Sequence, residues 1–203
     1  MFSTASNYHW KVIGVAVALA SLLTWPAVGA AQTVVGNGTA VQATVFGLLG
    51  ATTTVLAGTG ALGGTTDAQD VSQVTGDVPS LLTAEALAAT TIGWPDQVIS
   101  HASLANLGLT LGGTTISADS ILATATALLG ATGSGNAFIG NLLINGVPVG
   151  VTGQPNQTIS IPGGQLVINE QAVSPASTAV NALHATVSGV ADVVIGSAVA
   201  GIQ

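Results

Sequence analysis

The chain has 203 residues, of which eight are acidic, one is basic and none is cysteine. Because it carries almost no cationic side chains, it repels phosphate groups, so nucleic acid and anionic lipid are excluded as partners. The lack of cysteine excludes disulfides and thiolate metal sites. Stability must therefore come from packing and main-chain hydrogen bonds.

Residues 1–31 have the layout of a secretory signal peptide, which we expect to be helical. Lys11 precedes the apolar run 12–25, and small residues follow Pro26 up to Ala30 and Ala31. The run is shorter than the roughly 20 residues that a membrane-spanning helix needs. We predict cleavage after residue 31, a secreted, extracellular or cell-surface location, and no stable transmembrane segment afterwards. The alternative is an uncleaved anchor, because Lys11 is the only basic residue of this segment.

Residues 32–203 are predicted to form a single all-β domain. The segment 39–47 alternates Val41, Ala43 and Val45 with other side chains, which is the period of a strand with two distinct faces. Residues 52–56 continue as a second threonine-rich strand before a cluster of glycines.

Residues 65–80 are predicted to be a long polar loop that holds three of the acidic residues. Calcium takes oxygen ligands, so Asp67, Asp70 and Asp77 are candidate calcium ligands, although their spacing is not that of an EF-hand. The alternative interpretation is a solvated acidic loop without an ion.

Residues 81–93 are ambiguous, because several of them favour a helix. However, the segment 83–87 has the same order of residue types as 117–121: hydroxyl, alanine, acid, small, aliphatic. The second copy follows a glycine-broken strand. We therefore predict that both segments are strands.

The segment 138–171 predicts four short strands in a meander. Asn145-Gly146 is the pair that tolerates the positive φ angles of a two-residue hairpin turn, and further turns are expected at 153–156 and 162–164. The tail 179–202 is predicted to form two closing strands. Together these elements predict an antiparallel β-sandwich, jelly-roll-like or Greek-key in topology.

The sequence offers few groups for chemistry. Gly58–Gly63 matches a dinucleotide-binding pattern, but no helix is predicted after it, so we predict no cofactor. Residues 32–203 contain two histidines, His101 and His184, and no nucleophile-elbow, P-loop or zinc-protease motif. We therefore predict no catalytic residues and no enzyme activity. The remaining sequence motifs are glycosylation sequons at Asn37 and Asn156.

Several segments together resemble the choice-of-anchor P family of bacteria. These segments are 82–85, 116–119, 144–149, 151–158, 166–171, 180–184 and 190–195. The resemblance implies an exported, β-rich domain at the cell surface, and it implies no catalytic or binding residues that could be transferred to this chain. Residues 201–203 carry no sorting motif, so we do not expect covalent anchoring.

The sequence thus predicts a non-enzymatic structural or adhesion domain outside the cytosol. Scarce charge leaves strand edges unguarded, which favours self-association, including assembly in an extracellular matrix. The first alternative is an extracellular module that binds a glycan or a protein through Trp94 or the acidic loop. The second is a hydrolase, which would require a histidine, a serine and an acid to converge.

Overall fold

Thirteen β-strands and no helix lie within residues 32–203, the part of the chain that the structure, a computed structural model, describes. The predicted signal peptide lies outside these residues. Within this part of the chain, no helix is long and apolar enough to cross a membrane. The strands are β1 Val34–Gly47, β2 Gly50–Gly58, β3 Ala68–Val78, β4 Leu82–Gly93, β5 Gln97–Leu111, β6 Thr114–Leu128, β7 Ala131–Gly140, β8 Leu143–Ile144, β9 Val147–Pro148, β10 Gln157–Ile161, β11 Gly164–Val173, β12 Ser177–Val187 and β13 Ala191–Ile202.

The strands form two antiparallel sheets that pack face to face, so the predicted β-sandwich is confirmed. Sheet A has the order β10-β11-β12-β13-β1-β2. Sheet B has the order β3-β4-β5-β6-β8-β9, with β7 also paired to β6. The connectivity differs from the predicted jelly roll or Greek key, because each sheet is built mainly from strands that follow one another in the chain. Sheet A is completed where the first strand pairs with the last.

The core fills the space between the sheets with aliphatic side chains. Burial alternates along most of the long strands, as expected for ribbons with one face inside. Where β7 approaches β12, the small residues Gly133 and Gly135 lie directly against Thr178 and Val180, and an added Cβ would clash. The largest fully buried side chains are Leu87, Leu109, Leu111, Ile116, Ile121, Leu166, Ile168, Leu183, Ile195, Val41, Val98 and Val180.

A row of residues crosses each sheet. Along the strands, the alternation of buried and exposed side chains changes phase where a strand meets this row. In β5, the buried positions run through 98, 100, 102 and 104 and then resume at 107, 109 and 111. A residue in the left-handed region re-aims the side chains that follow it, which allows both halves of a long strand to face the core. The row in sheet A consists of Asn169, Ala182, Gly196, Ala40 and Ala57, and the row in sheet B of Ala86, Asn106, Asp119 and Asn141.

An acid–asparagine pair occurs twice along the row in sheet B, once with Glu85, the neighbour of Ala86. Asn106 has a φ of 48° and donates from Nδ2 to Glu85 Oε2 at 2.7 Å. Asn141 has a φ of 51° and donates in the same way to Asp119 Oδ2 at 2.5 Å. Both acids come from the two sequence segments that share one pattern of residue types. The pattern therefore marks two equivalent places in the sheet, and both segments are strands as predicted.

Two predictions about loops and strands are wrong. The segment 65–80 is not a long loop, because Ala68–Val78 forms β3 at the edge of sheet B. The four strands predicted within 138–171 do not form one meander, because β8 and β9 belong to sheet B whereas β10 and β11 belong to sheet A. The Asn145-Gly146 hairpin itself is present, with positive φ at both residues.

Candidate functional site

The three candidate calcium ligands do not meet. Asp67 lies in the turn before β3, and Asp70 and Asp77 are seven residues apart along that strand, which separates them by roughly 23 Å at the usual rise of a strand. Asp70 accepts a hydrogen bond from Thr90 at 2.6 Å. Within residues 32–203, no cluster of three or more His, Asp or Glu side chains has the geometry to hold a metal ion.

Asp67 instead organises the loop that crosses from sheet A to sheet B. Its carboxylate accepts hydrogen bonds from the Gly63 amide at 2.7 Å, from Ala68 N and from Gln69 Nε2. The Gly63 amide, followed by the Gln69 side chain, holds the pKa of Asp67 below its ordinary value of 3.8. Of the glycines that match the dinucleotide-binding pattern, Gly58 ends β2, and Gly60 and Gly63 lie in this connecting loop. Leu62 anchors the loop by its burial in the core.

His184 joins three strands on the outer face of sheet A. Its Nδ1 lies 2.8 Å from Glu170 Oε2 in β11, and its Nε2 lies 3.1 Å from Asp192 Oδ1 in β13. Glu170 Oε2 also accepts from Asn181 at 2.6 Å. A neutral imidazole donates through one ring nitrogen, whereas an imidazolium donates through both. Both hydrogen-bonding partners of this ring are carboxylates, so the ring ties β12 to β11 and β13.

His101 lies in a polar row on the outer face of sheet B. Its Nδ1 is 3.0 Å from Thr124 Oγ1. The row continues across neighbouring strands to Thr90 and Asp70 on one side and to Asn136 on the other. The face is open to solvent, and four clefts of about 390–510 Å³ on the surface of residues 32–203 have neither histidine in their lining. The convergence that a hydrolase requires is not assembled at either histidine.

One cleft is a trough of about 460 Å³ on the outer face of sheet B. Its floor is Gly108, which stands between Thr83 of β4 and Ser117 of β6 in the cross-strand row. A glycine inside a strand leaves the backbone open to close approach, and here it produces the depression. The hydroxyl-bearing residues that line the trough are Ser80, Thr83, Thr110, Thr115 and Ser117.

Hydrogen bonds hold the hairpin at Asn145-Gly146 beside this trough. Asn145 Oδ1 accepts hydrogen bonds from the Thr115 amide at 2.9 Å and from Thr115 Oγ1 at 3.3 Å. Asp77 also lines the trough, whereas Trp94 lies at the opposite end of β4. The predicted binding residues Trp94 and Asp77 are therefore not brought together. The sequence analysis did not identify Gly108 as part of a binding surface. An isolated glycine within a predicted strand is the signal that could have indicated it.

The sheet edges differ in how they are guarded against further pairing. Edge strand β3 carries the exposed carboxylates Asp70 and Asp77, and β10 is only five residues long. The Gly135 carbonyl of β7 accepts a hydrogen bond from the Gln171 side chain at 3.1 Å. Edge strand β2 has nine residues, none of them charged and none proline. Of these edges, β2 alone lacks the devices that keep strands from pairing with other chains.

The turn that precedes β2 exposes two leucines completely. Leu48 and Leu49 have relative exposures of 107% and 105%, and Phe46 is 44% exposed beside them. We call Leu48 and Leu49 the hairpin tip. A tip of this kind is unusual on a domain whose other large aliphatic side chains mostly face the core. It adjoins the unguarded edge and makes one continuous surface with it.

The sequon asparagines both take part in local hydrogen bonding. Asn37 Oδ1 in β1 accepts from Thr39 Oγ1 at 3.2 Å. Asn156 has a φ of 60°, and its Oδ1 accepts from the Gln171 amide at 2.9 Å. No known protein family, curated protein or solved structure matches the chain.

Proposed function

We propose that this protein is a non-enzymatic structural or adhesion domain that works outside the cytosol by associating with copies of itself. The observation that carries the proposal is the unguarded β2 edge, nine uncharged residues long. An exposed edge of this kind presents unpaired main-chain groups, which can extend the sheet into another chain. The signal-like layout of residues 1–31 supports the location.

The test is the association state of residues 32–203 by light scattering and sedimentation over a range of concentrations. We expect oligomers that grow with concentration. Thr53→Lys places a charge on the exposed edge and should shift association to at least tenfold higher concentrations, as lysines do on natural edges. The matched control is Thr158→Lys in β10, the opposite edge of the same sheet, which should leave association unchanged. A wild-type chain that stays monomeric at millimolar concentration would refute the proposal.

The trough supports a second candidate function, the binding of a glycan or another hydroxyl-rich ligand outside the cell. Five hydroxyl-bearing residues surround a glycine floor, and they offer donors and acceptors to sugar hydroxyls. Gly108→Val would fill the floor, where an added Cβ meets only Thr83 Oγ1 at 3.0 Å. We expect this variant to fold and to lose saturable binding on a glycan array. Ala88→Val, on the same face outside the trough, should keep the binding; equal binding by both variants would exclude the trough.

A further inference from the structure

We infer that the partner at the β2 edge is a second copy of this chain, paired antiparallel with Thr54 on the twofold axis. This inference rests on the proposed function and gives it an interface and a register. A closed twofold interface uses the same surface on both copies, so the strand must be complementary to its own reverse. The strand β2 meets this requirement.

The sequence of β2, GATTTVLAG, reads almost symmetrically about Thr54. In the twofold register, Gly50 faces Gly58 of the second copy and Ala51 faces Ala57. Thr53 faces Val55, and both residues are exposed in the single chain. Such a pair of β-branched residues is favourable at opposed positions of neighbouring strands. Small residues therefore oppose small residues at the ends, Thr52 opposes Leu56, and β-branched residues meet at the centre.

In the same register, residues of the second copy cover the hairpin tip. Continued beyond Gly50, it brings Leu49 and Leu48 beside Thr59 and Gly60 of the second copy. These two leucines are fully exposed in the single chain. Their exposure and the symmetry of β2 are separate observations, and one register accounts for both.

The two strands that would pair carry no charge. The strand β2 and the tip contain no ionisable side chain, so no like charges face each other across the axis. In sheet A the nearest carboxylate in cross-strand register is Asp192, which lies opposite Thr44 of β1 and belongs to the second strand inward from the edge. At the β3 edge, in contrast, the same twofold pairing would bring aspartates of both copies onto one interface.

Disulfide cross-linking tests the register directly, because the chain contains no cysteine. Opposed residues of an antiparallel pair have Cβ atoms about 4.5–5.5 Å apart and Cα separations within disulfide range. Purified Thr54→Cys should therefore form a covalent dimer under mild oxidation, at least tenfold faster than Thr158→Cys in β10. Equal rates for the two variants would overturn the inference.

The second measurement concerns the tip. The double variant Leu48→Ser, Leu49→Ser should weaken association at least tenfold while circular dichroism and thermal stability stay unchanged, because both side chains are already in water in the single chain. Unchanged association would contradict the proposed register. If wild-type oligomers form but Thr54→Cys does not cross-link, the proposal of self-association is kept and the β2 interface is rejected. If no oligomer forms, both proposals are rejected.

Discussion

At the scale of single residues, the asparagines in the phase-change row hold the backbone where most side chains are strained. Asn106→Ala removes both the tolerance for a φ of 48° and the hydrogen bond to Glu85. We expect it to lower the free energy of unfolding by about 2 kcal/mol. Asn106→Gly keeps the backbone conformation accessible and should cost less, about 1 kcal/mol. Urea unfolding measures both; equal losses would mean that the conformation contributes nothing.

Two buried threonines are predicted to respond to valine in opposite ways. Thr178 is fully buried and its Oγ1 has no hydrogen-bond partner within residues 32–203. Thr178→Val should therefore stabilise the fold by about 1 kcal/mol, since it removes an unsatisfied polar atom. Thr91 is equally buried, but its Oγ1 lies 2.7 Å from Ser100 Oγ, which donates to the Val199 carbonyl.

Thr91→Val should destabilise the protein by about 1–2 kcal/mol, because it breaks this buried chain of hydrogen bonds. Thermal unfolding of the two variants side by side provides the comparison. The same sign for both would show that the hydrogen bonds at these sites do not govern the outcome.

At the scale of elements, Asp67 makes the crossover between the sheets sensitive to acid. Its folded pKa lies below the unfolded value, so its hydrogen bonds contribute stability above pH 3.8 that is lost as the pH falls through the lower, folded pKa. We expect Asp67→Asn to melt at a lower temperature than wild type at neutral pH. The difference should shrink as the pH falls below 3.8. A gap independent of pH would assign the effect to shape rather than to charge.

The sequence predicts most strands of this fold, since period-two burial and turn residues are local signals. β4 is a strand despite its helix-favouring residues, because it is paired on both sides and one face is buried. β3 was missed because an edge strand with much exposed surface can keep Asp, Gln and Ser. Pairs such as Glu85 with Asn106 are invisible in the sequence, because cross-strand register decides which side chains meet.

At the scale of the whole molecule, residues 32–203 carry eight acidic residues and neither lysine nor arginine. Two copies that approach each other must overcome this repulsion, which dissolved salt screens beyond about 10 Å at 0.1 M. We expect self-association to strengthen severalfold between 20 mM and 500 mM sodium chloride. Light scattering at fixed protein concentration measures the change. Weaker association at high salt would mean that attraction between charges holds the copies together.

The pairing of β1 with β13 places Thr33 and Gln203 side by side, joined by two main-chain hydrogen bonds of 2.9 and 3.1 Å. A pull that separates these two residues would open the ladder one rung at a time, because each bond is loaded only after the previous one has broken. A pull on one of them alone would leave the ladder unloaded. The domain should therefore unfold at low force when it is pulled between residues 33 and 203, whereas attachment through one of these residues would not load the ladder.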